Sequence, residues 1–142
     1  MLMKLTFIGA DHEVTGSCHF LEVGDTKVLI DCGMEQGNNP YQNAELPVSY
    51  SDIDYVFLTH AHIDHAGMLP WIYARGFKGQ IITTYATADL CGIMLRDSAH
   101  IQEMEAEWRN RKARRAGKTE VEALYTMQDA EGVLGHFEGV AY

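Results

Sequence analysis

Three of the chain's seven histidines and one aspartate fall within six positions, His60-Ala61-His62-Ile63-Asp64-His65. Neutral imidazole and carboxylate oxygen are the usual donors for borderline divalent cations, zinc first, with manganese and iron also suited. The segment follows Tyr55-Val56-Phe57-Leu58, an apolar run that reads as a short buried strand stopping at Thr59-His60. Alternate side chains of an extended segment share a side, so His60 and His62 point into one space. If the chain turns into a helix after Gly67, Asp64 and His65 project together from the bend. The competing explanation is a solvated His-rich loop, or imidazoles buried by hydrogen bonding. An H-x-H-x-D-H spacing directly after an apolar strand favours the metal.

The elements that must position these residues are legible around them. Met3 to Ile8 reads as a strand ending at Gly9, Ser17 to Val23 as a second, and Gly24-Asp25 as a hairpin turn. Lys27 to Asp31 is a third strand, whose apolar run implies burial on both faces. Residues 32–48 carry Gly, Asn and Pro and read mostly as loop. A short helix is expected over Gly67 to Arg75 with Gly76 as its cap, then a strand over Gln80 to Thr83. From Ala86 to Ala116 good helix formers run without a proline, which predicts one long helix with Leu90, Ile93, Met94 and Ile101 on its apolar side. Its second half is charged: Glu103, Glu105 and Glu107 precede a basic cluster and can pair with it at helical spacing. Thr126 to Phe137 reads as a final helix with Thr126 as N-cap, and a new strand begins near Gly139. Strands followed by strand–loop–helix units indicate an α/β layered domain.

Composition narrows the function class. The chain has 142 residues, is 46% apolar and 22% charged, and carries a net charge of −9; its mean hydropathy is −0.18. That is a globular composition, with no apolar run near the roughly 20 residues of a membrane-spanning helix. No basic start leads into an apolar stretch and a cleavage site, which predicts a cytoplasmic protein. The acidic balance argues against a general nucleic-acid binder. Yet six of the eleven basic residues, Arg109, Arg111, Lys112, Arg114, Arg115 and Lys118, lie within ten positions. Cys18, Cys32 and Cys91 form no CxxC pair and read as buried reduced thiols.

Thr59 to His65 is similar to the T-H-x-H-x-D-H signature of the metallo-β-lactamase fold hydrolases. Leu5-Thr6-Phe7-Ile8-Gly9-Ala10, Glu13-Val14-Thr15-Gly16-Ser17-Cys18, Leu29-Ile30-Asp31-Cys32-Gly33 and Gln36-Gly37 resemble the N-terminus of its β-CASP subfamily. Ala86-Thr87-Ala88-Asp89-Leu90 and Asp97-Ser98-Ala99-His100-Ile101-Gln102 resemble it after the signature. The subfamily contains RNA-processing nucleases, and the resemblance covers essentially the whole chain. It implies the N-terminal part of an αββα sandwich: a mixed sheet with flanking helices, incomplete relative to the full fold, as a single partial domain over residues 1–142.

The resemblance also assigns roles. His60 and His62 match two ligands of a first metal, and Asp64 and His65 two ligands of a second. Asp31 matches the family's first motif, an aspartate that supports the metal loop from behind and fixes a histidine tautomer. The implied mechanism is two-metal hydrolysis, with ions roughly 3.5–4 Å apart activating water and clamping the scissile phosphate. Asp64 is then both ligand and acceptor of the water's proton. The family's third histidine motif, its bridging aspartate and the β-CASP insertion have no counterpart in these 142 residues. The chain alone is therefore expected to be weak or inactive, the front part of a longer enzyme. His136 reads as a helix-end residue rather than the missing ligand, His12 as a solvated loop residue near the active-site rim, His19 as structural and His100 as a helix-surface residue.

Three functions compete on this reading. The first is an RNA-processing metallo-hydrolase acting on an RNA substrate, favoured by the Val14 to Ser17 and Asp97-Ser98 segments. The second is a hydrolase of small esters or thioesters sharing the same signature. The third is a non-catalytic fragment that self-associates, because half a sandwich exposes apolar surface; a homo-oligomer is expected.

Overall fold

The computed structural model describes residues 1–38 and 42–142. Of the loop expected over 32–48, residues 39–41 lie outside the described residues; the rest carries neither helix nor strand. Strands β1 (Met3–Gly9), β2 (Cys18–Val23), β3 (Thr26–Ile30), β4 (Tyr55–Phe57), β5 (Gln80–Thr84) and β6 (Phe137–Val140) form one sheet in sequence order. β1, β2 and β3 pair antiparallel; β3 through β6 pair parallel. The two-residue turn between β2 and β3 falls at Gly24-Asp25, where Gly24 takes a φ of 59°. Parallel pairing requires crossovers: between β3 and β4 the described chain has only a 3-10 turn at Tyr50–Asp52, whereas α1 (Ile63–Ala66) and α2 (Leu69–Ala74) precede β5, and α3 (Tyr85–Ala116) and α4 (Met127–Leu134) precede β6.

The sheet's two faces differ. Phe20, Leu29, Val56 and Ile81 are neighbours across β2 to β5 and are wholly excluded from solvent. They share the core with Ala66, Leu69 and Ile72 of the short helices, Leu95 and Ala99 of α3 and Ala130 and Val133 of α4. Each large aliphatic or aromatic side chain buried there is worth about 1.5–3 kcal/mol relative to exposure. On the opposite face Phe7, His19, Ile30 and Phe57 align across β1 to β4, and Phe7 and Phe57 remain 58% and 44% exposed. Met3, Leu5 and Tyr55 extend this uncovered apolar face.

Helix boundaries correct two expectations. The helix expected over Gly67 to Arg75 is two short helices broken at Gly67-Met68, and the first begins at Ile63. Asp64 and His65 thus project from a helical turn, not from a bend before one, because His62 already serves as its N-cap. On α3 the buried positions are Cys91, Leu95, Ser98 and Ala99, whereas Leu90, Ile93 and Ile101 face solvent. Small residues win the core side because they allow α3 close to α1 and α4, a choice that hydrophobicity alone does not reveal. α3 opens with the Thr84 hydroxyl accepting from the Thr87 amide and ends at Gly117 in the left-handed conformation. α4 carries a full capping box between Thr126 and Asp129. Among the described residues no helix is long and apolar enough to cross a membrane.

Candidate metal centre

Asp31 is the hub of the loop cluster at the carboxyl ends of β3 and β4. It follows β3 with a φ of 60°, a left-handed conformation that aspartate tolerates better than most side chains. Its amide donates to the Phe57 carbonyl at 3.0 Å, which locks it to β4. Its carboxylate accepts from the Thr59 amide at 2.8 Å, the Thr59 hydroxyl at 3.0 Å, the Ser17 hydroxyl at 3.4 Å and His65 Nδ1 at 2.7 Å. Asp31 is only 3% exposed, and among the described residues every fully buried side-chain polar atom has a partner.

This network fixes two histidine tautomers. A carboxylate only accepts, so His65 Nδ1 carries the hydrogen and Nε2 presents a lone pair. The Thr59 hydroxyl spends its one hydrogen on Asp31, so at 2.9 Å it accepts from His60 Nδ1, and His60 Nε2 also presents a lone pair. His65 Nε2 then faces Asp64 Oδ2 at 3.5 Å. A lone pair opposed to a carboxylate oxygen at this distance is an arrangement that a cation between them satisfies. The donor chemistry therefore fits a divalent metal.

Three imidazoles pack against one another here. The His60 ring lies 4.8 Å from that of His62 and 4.1 Å from that of His65, centroid to centroid. His60 and His62 share a space as their spacing requires, and His65 joins the same cluster rather than standing apart with Asp64. Among the described residues no three His, Cys, Asp or Glu side chains converge into a metal-holding group.

Backbone contacts hold the loop in place. The Cys32 amide donates to the His65 carbonyl at 2.8 Å, the Ser17 amide to the Asp64 carbonyl at 2.9 Å and the Met34 amide to the Ile63 carbonyl at 3.0 Å. Gly33 lies so close to Asp64 that a Cβ there would meet its carbonyl oxygen at 1.7 Å. Ser17 and Gly33 join the site without standing out by residue type in the sequence. A glycine two positions after a strand-end aspartate was the available signal of close backbone approach.

The remaining histidines lie elsewhere. His136 follows α4 and its Nδ1 bonds to the Gly79 carbonyl at 2.8 Å, with its ring against Tyr73 and Phe77. His19 stacks edge-on to Phe7, His100 is exposed on α3, and exposed His12 lies 4.0 Å from Asp11. The expected pairing of Glu103, Glu105 and Glu107 with the basic cluster does not form among the described residues: Arg114 pairs with Glu120, and Glu103 accepts from the Met127 amide.

Residues 13–129 match a family model described as the Metallo-beta-lactamase superfamily. Ribonuclease TTHA0252 of Thermus thermophilus is 35% identical over 141 residues, which cover 99% of this chain and 28% of the relative. Transcription termination factor FttA of Methanocaldococcus jannaschii is 31% identical over 143 residues, 99% of this chain and 20% of that protein. Cleavage and polyadenylation specificity factor 73 of Drosophila melanogaster is 30% identical over 147 residues, 99% of this chain and 19% of its own. The chain spans less than a third of the length of these curated relatives.

Proposed function

The chain belongs to the metallo-beta-lactamase superfamily, and on that premise we propose that it is the N-terminal metal-binding portion of an RNA-processing nuclease of the β-CASP type. The observation that carries the reading is the Asp31 network, which leaves the Nε2 lone pairs of His60 and His65 free of the Asp31 and Thr59 bonds and sets that of His65 beside Asp64. The ribonuclease and the RNA-processing factor among the relatives support a phosphodiester substrate over a small ester or thioester.

In this reading His60 and His62 hold one zinc ion, and Asp64 and His65 a second; manganese or iron would suit the same donors. Bound ions supply Lewis acidity toward a scissile phosphate and ease the ionisation of an attacking water. Asp64 Oδ2 takes the proton that such a water gives up. Asp31 and Thr59 orient His60 and His65 throughout, and neither touches substrate. Further ligands come from outside these 142 residues, so the isolated chain is weak or inactive. We place the protein in the cytoplasm, with RNA as its substrate. A second copy of the chain covers the open sheet face.

Elemental analysis of chain purified without chelator, beside a His62→Ala control, tests the reading, paired with cleavage of single-stranded RNA before and after chelation. Metal that falls in the control, with chelator-sensitive cleavage or none, supports the proposal. Chelator-resistant RNA cleavage, or hydrolysis confined to small esters or thioesters, overturns it.

A further inference from the structure

The charged end of α3 stands out from an acidic chain. Residues 109–118 contain six basic side chains and no acidic one. All six are exposed. Arg114 pairs with Glu120 at 3.4 Å, while Arg109, Arg111, Lys112, Arg115 and Lys118 have no acidic partner within ion-pair distance among the described residues. Trp108, Arg111, Lys112 and Arg115 fall at positions i, i+3, i+4 and i+7 and so share one face of the helix. The Trp108 ring is 52% exposed, and Lys112 Nζ sits 3.7 Å from its centroid.

The location adds to the charge. Gln102 Nε2 reaches Met34 Sδ at 3.9 Å, and Met34 is bonded through its amide to Ile63 of α1, the helix that carries Asp64 and His65. Trp108 lies six residues beyond Gln102, about 9 Å along the helix axis. A rigid rod thus carries the basic face outward from the segment that holds the candidate metal ligands.

We propose that Trp108, Arg111, Lys112 and Arg115 form a docking surface for single-stranded RNA, which holds the substrate strand beyond the metal centre. The inference rests on the nuclease reading for its choice of polyanion. Arginines and lysine neutralise phosphates, and a half-exposed indole keyed by a cation offers a base a stacking face. A lipid surface offers phosphates but no base to stack on the half-exposed Trp108 ring, so the indole favours RNA as the occupant.

The test is fluorescence anisotropy of the whole chain with a labelled single-stranded RNA dodecamer across a salt series. Trp108→Ala should weaken binding about tenfold or more. Arg111→Gln/Lys112→Gln/Arg115→Gln should weaken it at least tenfold and flatten the log–log salt slope by about 2. The neutral glutamines keep helix propensity, and unchanged circular dichroism verifies folding. Undiminished affinity in both variants overturns the surface while leaving the nuclease reading standing. Tighter binding to anionic vesicles than to RNA, lost in Trp108→Ala, also overturns it. Variant-sensitive RNA binding by a protein that proves to hydrolyse only small esters keeps the surface and removes the nuclease.

Discussion

Asp31 and His65 are thirty-four residues apart in sequence and 2.7 Å apart in space, carboxylate Oδ2 to ring Nδ1. The same carboxylate controls His60 through the Thr59 hydroxyl, so one buried acid sets the donor atoms of two candidate metal ligands. That makes Asp31 a positioning residue whose replacement separates stability from metal binding.

Asp31→Asn keeps the shape and the tolerance for positive φ, but its amide group donates where the carboxylate accepted. His65 Nδ1 then becomes an acceptor and Nε2 carries the hydrogen, so the lone pair facing Asp64 is lost. The asparagine variant should fold with a loss of about 1–3 kcal/mol and lose metal affinity by about 10–100-fold. Asp31→Ala should lose the same affinity and more stability, since it strands buried donors and places alanine at a φ of 60°. Metal content and urea unfolding of the two proteins check both statements. Equal metal loading in wild type and Asp31→Asn would refute the orienting role.

Gly33 and Gly92 give opposite expectations for the same substitution. A methyl group at Gly33 meets the Asp64 carbonyl oxygen at 1.7 Å, and backbone cannot step aside cheaply. Gly33→Ala should cost about 1–3 kcal/mol or more and displace the turn that bears Asp64. At Gly92, inside α3, the nearest atom is the mobile end of Arg96 at 3.6 Å. Gly92→Ala should stabilise by about 0.5–1 kcal/mol. Thermal unfolding of both variants reads the difference in sign.

The metal cluster was legible because its residues are contiguous and its chemistry is borne by residue type: His60, His62, Asp64 and His65 announce themselves. Asp31 entered through the family resemblance, but its partners did not, since the bonds to Thr59, Ser17 and His65 cross 28, 14 and 34 residues and leave no periodic trace. The hairpin at Gly24-Asp25, the first five strands and the Thr126 cap were legible for a local reason, because turn and cap chemistry lie within four residues; the end of the last helix was not, since α4 stops at Leu134 and Phe137, expected in the helix, opens β6. The orientation of α3 was not. Leu90, Ile93 and Ile101 make the more apolar stripe, yet the helix turns Cys91, Leu95, Ser98 and Ala99 inward. A tertiary demand for close packing overrode hydrophobicity, and Ser98 satisfies its hydroxyl against Tyr125 at 2.6 Å.

The three thiols should be silent in the native state. Cys18, Cys32 and Cys91 are free and buried. The Cys18 side chain hydrogen-bonded to Cys32, together with burial, pushes the Cys32 thiol well above the usual range. Burial pushes Cys91 up from 9.0 to about 11. A chromogenic disulfide reagent should therefore find no fast-reacting thiol until denaturant is added, and then three. Raised thiol values also set a pH dependence. Below pH 9 both states hold the Cys91 proton and its contribution is intact. As pH rises from 9 toward about 11 the unfolded chain releases the proton first, binds fewer protons than the native state, and stability falls. The loss approaches about 2–3 kcal/mol at about 1.4 kcal/mol per unit. Urea midpoints should drop over that window in wild type and drop less in Cys91→Ala.

The open sheet face sets the last expectation. Met3, Leu5, Phe7, Tyr55 and Phe57 form an apolar surface 36% to 65% exposed side chain by side chain, on a sheet whose other face carries the buried core along β2 to β5. Parallel strands such as β3 to β5 normally have both faces covered, and contiguous apolar surface of this kind marks an interface. In a solution of this chain alone, the available apolar partner is a second copy, stacked face to face. Size-exclusion chromatography with light scattering should show a species larger than a 15.9 kDa monomer, shifting with concentration. Leu5→Lys/Phe7→Glu should return it to a monomer with unchanged circular dichroism, because both positions are exposed and neither contributes to the buried core. A wild-type monomer at both low and high concentration would remove self-association and leave the face to be covered by something else.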